Sequence, residues 1–265
     1  MLSKKYKVRK GLRKNNKLYK QPQFSIITAV YNGEKYLQET IDSIVSQKFK
    51  NYEYIVIDGK STDNTLKIIK KNLRHINFWL SEKDQGIYYA FNKGMDLSTG
   101  KYICIVNADD KLTPKALTMI DKYIRSNQNI DFIFGSVRKH WGILHGYKPE
   151  KIKYSWGFYS SHSTGFFIKK DSAKVVGYYN TKYKYHADYD YFFRMIVKKK
   201  MIGIATKKSE ISGIFRRGGF SSKIPYRKLF FEEIKIRYDN GQNIFLIAII
   251  VLYKIFRNFK KTLMN

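Results

Sequence analysis

The feature that most limits the fold is an alternation of short apolar runs with amphipathic ones between residues 24 and 106. Phe24–Val30 reads FSIITAV, apolar almost throughout, as expected for a parallel strand covered on both faces. It stops at Tyr31-Asn32-Gly33, a loop signal. Residues 34–47 then place Tyr36, Leu37, Ile41, Ile44 and Val45 on one helical stripe. A second strand over 52–57 ends at Asp58-Gly59, and Ser61-Thr62-Asp63 offers capping oxygens to a helix carrying Leu66, Ile68 and Ile69. A third strand at 76–80, a helix over 86–97 closed by Thr99-Gly100, and a fourth strand at 102–106 complete the series. This pattern predicts an α/β fold with a single, mostly parallel central sheet, helices on both faces and a Rossmann-like nucleotide-binding half. No GxGxxG follows the first strand and no GxxxxGK[ST] occurs, which argues against a dinucleotide site and against a P-loop.

The fourth strand, Tyr102 to Val106, breaks into Asn107-Ala108-Asp109-Asp110. Adjacent carboxylates at the carboxyl end of a central strand repel each other and are partly desolvated. A hard divalent cation with oxygen ligands removes that cost. In open α/β sheets the ligand crevice lies at that end, so a metal and nucleotide-phosphate site is expected here. The alternative is a polar turn ahead of a helix from Thr113-Pro114.

Further along, a helix is expected to about 126, strands at 131–134, 165–169 and 211–215, and a helix after His186-Ala187-Asp188-Tyr189-Asp190. Residues 136–165 read as aromatic and irregular. From 226 the chain reads as helical to its end. With 265 residues there is material for a sizeable core. The lone cysteine, Cys104, reads as a small buried hydrophobe in a reducing compartment. A net charge of +30, from 51 Lys and Arg against 21 Asp and Glu, implies an anionic partner: nucleic acid, anionic lipid or a phosphorylated substrate.

Six stretches in order resemble family 2 glycosyltransferases: FSIITAVYNGEKYLQETIDSIVSQ, YIVIDGKSTDNT, SEKDQGIYYAFNKGMDLSTG, YICIVNADD, GFFIKKDSAKVVGYYN and HADYDYFFRM. The nearest branch is the bacterial surface-polysaccharide enzymes of the colanic-acid type. The resemblance covers about residues 22–220. It implies a GT-A fold, a nucleotide-diphosphate sugar donor, inverting transfer and a Mn2+ or Mg2+ cofactor. It implies that Thr28, Ala29, Tyr31, Asn32 and Asp58 hold the nucleobase, with Asp58 accepting from a uracil N–H and so favouring a UDP-sugar. Asp84 would lie near base or ribose, with Asn92 as a further donor-side candidate. Asn107 and Ala108 would border the DxD-type acids. Asp109 would touch ribose or metal, and Asp110 would ligate the metal. Asp188 would be the base, with Asp190 its rival. His162 would sit on the acceptor side, and Arg217, within Arg216-Arg217-Gly218-Gly219, would close over the diphosphate. Two positions depart from the family pattern: Tyr89 where an Asp is common, and Lys60 where a Gly is common.

The expected organisation is a basic arm over 1–20, a catalytic domain over 21–225 and a basic, apolar helical tail over 226–265. The tail run IFLIAIIVLY at 244–253 is shorter than the roughly 18 apolar residues a spanning helix needs. Flanked by cations, it suits docking on an anionic inner leaflet, or packing on protein, including a homodimer. The expected location is cytoplasmic, peripheral on the inner membrane face, with a glycan or polyprenyl-linked acceptor. A basic nucleic-acid-binding protein and a silent nucleotide- or glycan-binding relative are the competing classes. No RNA- or DNA-binding motif is present, so no nucleic-acid partner is expected.

Overall fold

The computed structural model describes residues 12–13, 21–154, 163–217 and 224–257. The strands, in chain order, are β1 (Leu12–Arg13), β2 (Phe24–Val30), β3 (Tyr52–Asp58), β4 (Phe78–Ser81), β5 (Tyr102–Ile105), β6 (Lys111–Leu112), β7 (Phe132–Phe134), β8 (Ser136–Lys139), β9 (Gly142–Leu144), β10 (Phe166–Lys169), β11 (Gly203–Ala205) and β12 (Ile211–Ile214). The helices are α1 (Leu37–Val45), α2 (Thr65–Lys71), α3 (Ile87–Leu97), α4 (Ala116–Ser126), α5 (Lys170–Val176), α6 (Ala187–Phe193, running into a π-helical turn), α7 (Tyr226–Asp239) and α8 (Ile244–Arg257).

The large sheet has the order β1-β4-β3-β2-β5-β10-β7-β11. Strands β4, β3, β2 and β5 are parallel, and β10 runs against both of its neighbours. The expected parallel nucleus is therefore present. Side-chain alternation along β2 divides the core. Phe24, Ile26 and Val30 pack with α1, α2 and α4, whereas Ile27 and Ala29 face α3 and α6. The apolar run of β2 serves both faces at once.

A second sheet of four strands, β6-β12-β8-β9, was not legible in the sequence. It forms where β6, directly after the acidic turn, pairs with β12, and β12 pairs with β8. The stretch expected to be irregular thus contains the hairpin of β8 and β9.

The tail is not one helix. Gly241 adopts φ +70° and breaks it into α7 and α8, a conformation suited to glycine at a helix end. Helix α7 belongs to the core: Ile236 and Arg237 are fully buried, and Arg237 pairs with Glu233 at 2.9 Å. Helix α8 lies on α7 through Ile247, Ile250 and the Lys254–Glu233 ion pair, with its other face open. Among the described residues no helix is long and apolar enough to cross a membrane. The basic arm, apart from the backbone of 12–13, lies outside the described residues.

Candidate active site

Chain order reverses at β2: β3 and β4 add on one side, β5 on the other. Such a switch point opens a crevice at the carboxyl ends of the strands. Asp58 ends β3, Tyr31-Asn32 follow β2, and the acidic turn follows β5.

Asp110 is fully buried. Its Oδ2 accepts the Thr164 hydroxyl at 2.5 Å and the Asn107 amide at 3.3 Å, and its Oδ1 accepts the Arg216 backbone N–H at 3.2 Å. Burial, followed by the Asp109 charge, pushes its carboxyl up to about 7 against the pull of those donors. Asp109 is likewise raised by burial, opposed by Arg216. The turn is held from two sides. The Thr40 hydroxyl on α1 lies 2.9 and 2.8 Å from the carbonyls of Ala108 and Asp110. Arg216 Nε donates to the Asp109 carbonyl at 3.2 Å, while its guanidinium pairs with Glu39 at 2.7 Å and stacks 4.0 Å from the Tyr36 ring centroid.

These residues fit a divalent cation. Asn107 Oδ1 is buried and has no hydrogen-bond partner among the described residues. Together with the Asp109 and Asp110 carboxylates it makes an all-oxygen donor set, the kind that Mg2+ and Mn2+ take. Among the described residues no cluster of three His, Cys, Asp or Glu side chains completes a cage. A bound molecule would supply further ligands, as is usual for a cation held with substrate phosphates.

Asp188 stands in the first turn of α6. Its Oδ1 accepts the Tyr189 backbone N–H at 2.9 Å and lies 3.4 Å from the Tyr88 hydroxyl. Burial pushes its carboxyl up to about 6, with a smaller contribution from the charge of Glu232. Asp190, the rival, is closed off: it pairs with Arg194 at 2.9 Å and accepts the Asn240 amide at 2.8 Å. Lys139 on β8 lies 4.4 Å from the Phe215 ring, next to the Arg216 N–H that donates to Asp110, and the charges of both Asp110 and Asp188 reach its ammonium.

The Glycosyl transferase family 2 profile matches residues 25–192. An uncharacterised glycosyltransferase of Methanocaldococcus jannaschii is 30% identical over 238 residues, covering 84% of this chain and 82% of that protein. This chain belongs to glycosyl transferase family 2. Its fold is similar to S. aureus TarS in complex with UDP-GlcNAc, with a TM-score of 0.66 at 16% identity over 88% of this chain and 72% of that one. It also resembles a mannosyltransferase from Pyrobaculum calidifontis in complex with GDP-Man and Mn2+, with a TM-score of 0.60 at 16% identity over 83% and 63% of the two chains. At those identities the likeness establishes the GT-A fold. The chain spans 39% of the longer TarS chain.

Within this family 2 domain the other candidates divide into two groups. Asn32 takes φ +49° and bridges to the loop after β3, with its N–H on Ser61 Oγ at 2.8 Å and its Oδ1 accepting from Thr62 at 2.9 Å. Tyr31 beside it is 66% exposed, free to meet a ligand. Asp58 is buried, and both its oxygens are engaged: Ser61 donates to one and Ser81, at 2.5 Å, to the other. Asp84 pairs with Lys93, yet its Oδ2 is buried without a partner among the described residues. Burial raises the Asp84 carboxyl and Lys93 opposes it.

The second group turns inward. Thr28 shares the parity of Ile26 and Val30, so its hydroxyl is sealed in the core, where it accepts from Tyr54 at 3.1 Å. Ala29 packs in the opposite core. Asn92 is neither solvated nor turned to the crevice. It is fully buried and closes both ends of its amide on the Tyr179 backbone, at 2.8 and 2.9 Å. That tie seats Tyr179 in a stack with Tyr88 and Tyr191 beneath Asp188. Arg217 is exposed, and it is Arg216 that reaches the acids. His162, Gly218 and Gly219 lie outside the described residues. Sequence reasoning missed Thr164, Lys139, Lys93 and Glu232, because each comes from a distant segment and carries no local motif.

Proposed function

We propose that the chain transfers a sugar from a nucleotide-diphosphate sugar, a UDP-sugar foremost, to a hydroxyl of a glycan or polyprenyl-linked glycan, in a single inverting displacement serving surface-polysaccharide assembly. The observation that supports this most is the fully buried Asp110, held at the carboxyl end of the central sheet by Thr164, Asn107 and the Arg216 N–H, with the half-buried Asp188 in the first turn of α6. Asp188 takes the acceptor hydroxyl proton as the new glycosidic bond forms on the face opposite the departing diphosphate. A carboxyl near 6 is ionised at neutral pH yet more basic than an ordinary aspartate, which suits a general base. The diphosphate leaves with the bonding electron pair and needs no protonating acid. Asp109, Asp110 and Asn107 would hold Mn2+ or Mg2+, which when bound neutralises the charge of the departing diphosphate. UDP-GlcNAc in TarS and GDP-Man in the mannosyltransferase are consistent with a nucleotide-diphosphate donor.

The C-terminal hairpin supports placement at an anionic inner-leaflet surface from the cytoplasmic side. Phe245, Ile249, Leu252 and Phe256 form an exposed stripe on α8, 62 to 88% exposed, spaced for one helical face. Helix α7 exposes Arg227, Lys228, Phe231 and Lys235 beside it. Apolar and cationic stripes together suit an interfacial helix.

The test is thermal stabilisation by UDP-, GDP- and TDP-sugars, with Mn2+ and with EDTA. Ligand linkage gives about 2.7 kcal/mol at a hundredfold excess over Kd. A shift with one nucleotide class that disappears in Asp110→Ala is the expected result; no shift with any of them overturns the donor reading.

A further inference from the structure

Lys139 ends β8, whose neighbour β12 runs on into Phe215 and Arg216. The Phe215 backbone N–H donates to the Arg138 carbonyl at 2.8 Å, so the segment that fixes Arg216 on Asp110 also fixes the end of β8. The Lys139 ammonium lies 4.4 Å from the Phe215 ring centroid and 5.9 Å from that of Trp141. It is half-buried, and among the described residues no carboxylate lies within ion-pairing distance. Three other cations beside the crevice are paired: Arg216 and Lys111 with Glu39, and Lys93 with Glu82 and Asp84. Lys139 alone of this group is held over aromatic faces with its charge directed at no protein anion. A partly desolvated ammonium with no counter-ion is unfavourable, and aromatic contacts offset only part of that. An anionic ligand completes it.

Its position says which anion. Lys139 sits 4.4 Å from the Phe215 ring centroid, and the next residue, Arg216, donates its backbone N–H to Asp110 Oδ1 at 3.2 Å, so the ammonium stands beside the acidic turn; the charge of Asp188 also reaches it. In a nucleotide-diphosphate sugar the β-phosphate is the group next to the transferred sugar, and it must lie between metal acids and base. A divalent cation cancels the two acids, which leaves the charge of the diphosphate itself to be met. A compact lysine ammonium suits a phosphate as a point charge. We propose that Lys139 binds the donor's β-phosphate directly and carries part of its charge as it departs. This deepens the donor reading above and rests on it. Lys139 donates hydrogen bonds only and gives up no proton.

The experiment is calorimetric titration of the full chain with UDP, GDP and UMP in Mn2+, for the wild type, Lys139→Met and Lys139→Arg. Losing a charged hydrogen bond weakens binding roughly 10- to 100-fold. The expected result is a loss of that size for UDP in Lys139→Met, UMP affinity within about twofold of wild type by the same reasoning, and substantial recovery in Lys139→Arg. Melting temperatures check that all three proteins are folded. Wild-type UDP affinity in a folded Lys139→Met overturns the assignment of Lys139 and leaves the donor reading standing. A wild type that binds neither UDP nor GDP overturns the donor reading, and this inference with it.

Discussion

The Glu232 carboxylate on α7 accepts the His186 backbone N–H at 2.8 Å, two residues ahead of Asp188. It also accepts the N–H groups of Lys184 and Tyr185, at 2.6 and 2.7 Å. One side chain from the C-terminal hairpin thus gathers three donors of the segment that leads into α6. Bonds to a charged acceptor are stronger than neutral ones. Glu232→Ala is expected to lower kcat at least about tenfold by releasing the base, with UDP affinity unchanged. Thermal melts should show a loss of about 1–2 kcal/mol, moderated because Glu232 is half-exposed.

The pH dependence follows from Asp188. Its carboxyl is raised from the ordinary 3.8 to about 6, by burial first, then by Glu232, against the Tyr189 amide and the Tyr88 hydroxyl. The ionised form is the base, so kcat should fall tenfold per pH unit below about 6. The stability sign is opposite. The folded state holds this proton more tightly than the unfolded one, so the contribution is fully present below 3.8 and is lost as pH rises towards about 6. Glu232→Gln removes a negative neighbour and should move the acid limb of the rate profile downward.

Thr164 shows how Asp110 is aimed. Its hydroxyl donates to Asp110 Oδ2 at 2.5 Å from the turn before β10. Thr164→Val keeps the shape and removes the donor. Outer groups of this kind are typically worth about 10- to 100-fold in metal affinity. A loss of that size in Mn2+-dependent stabilisation by UDP is expected, and EDTA should abolish the difference between the variant and the wild type.

Lys60 departs from the glycine common in the family, and it takes φ +66°. The left-handed region costs an ordinary residue about 1–2 kcal/mol, which glycine avoids at some entropic penalty. Lys60→Gly should raise stability by roughly 0.5–1 kcal/mol in denaturant melts, with no change in donor specificity.

The α8 stripe gives a separable prediction. Phe245→Ser, Ile249→Ser and Phe256→Ser combined should abolish co-sedimentation with phosphatidylglycerol vesicles and leave activity on a soluble acceptor intact. A dimer in light scattering that the triple variant dissolves, with no vesicle binding by the wild type, would show instead that a second copy covers this face.

The parallel nucleus was legible because its inner strands β2, β3 and β5 are covered on both faces. Phe24–Val30 and Tyr102–Ile105 are buried at every position and mostly apolar, and the helices between them carry clear stripes. The acidic turn stood out as a candidate because two acids after a buried strand are costly without a purpose. The second sheet was not, because β6 is two residues long, β8 and β9 have mixed burial, and β6 and β8 gain their pairing from β12, some 70 residues or more away in sequence. The side-chain directions of Asn92 and Thr28 were not legible for a related reason. Their side-chain direction depends on the partners Tyr179 and Tyr54, and nothing in their own stretch names those partners. Lys139 is one lysine among many in a chain of net charge +30, and only its aromatic seat and missing carboxylate distinguish it.

The central claim is that Asp188 is the base of a transferase whose donor sits on the acidic turn. The most direct measurement is the rate of sugar transfer by Asp188→Asn, run beside its UDP affinity. General-base removal typically costs about 10²- to 10⁴-fold. A fall of that order, with UDP affinity within about twofold of wild type, is the predicted result. Transfer at the wild-type rate by a folded Asp188→Asn would contradict the account.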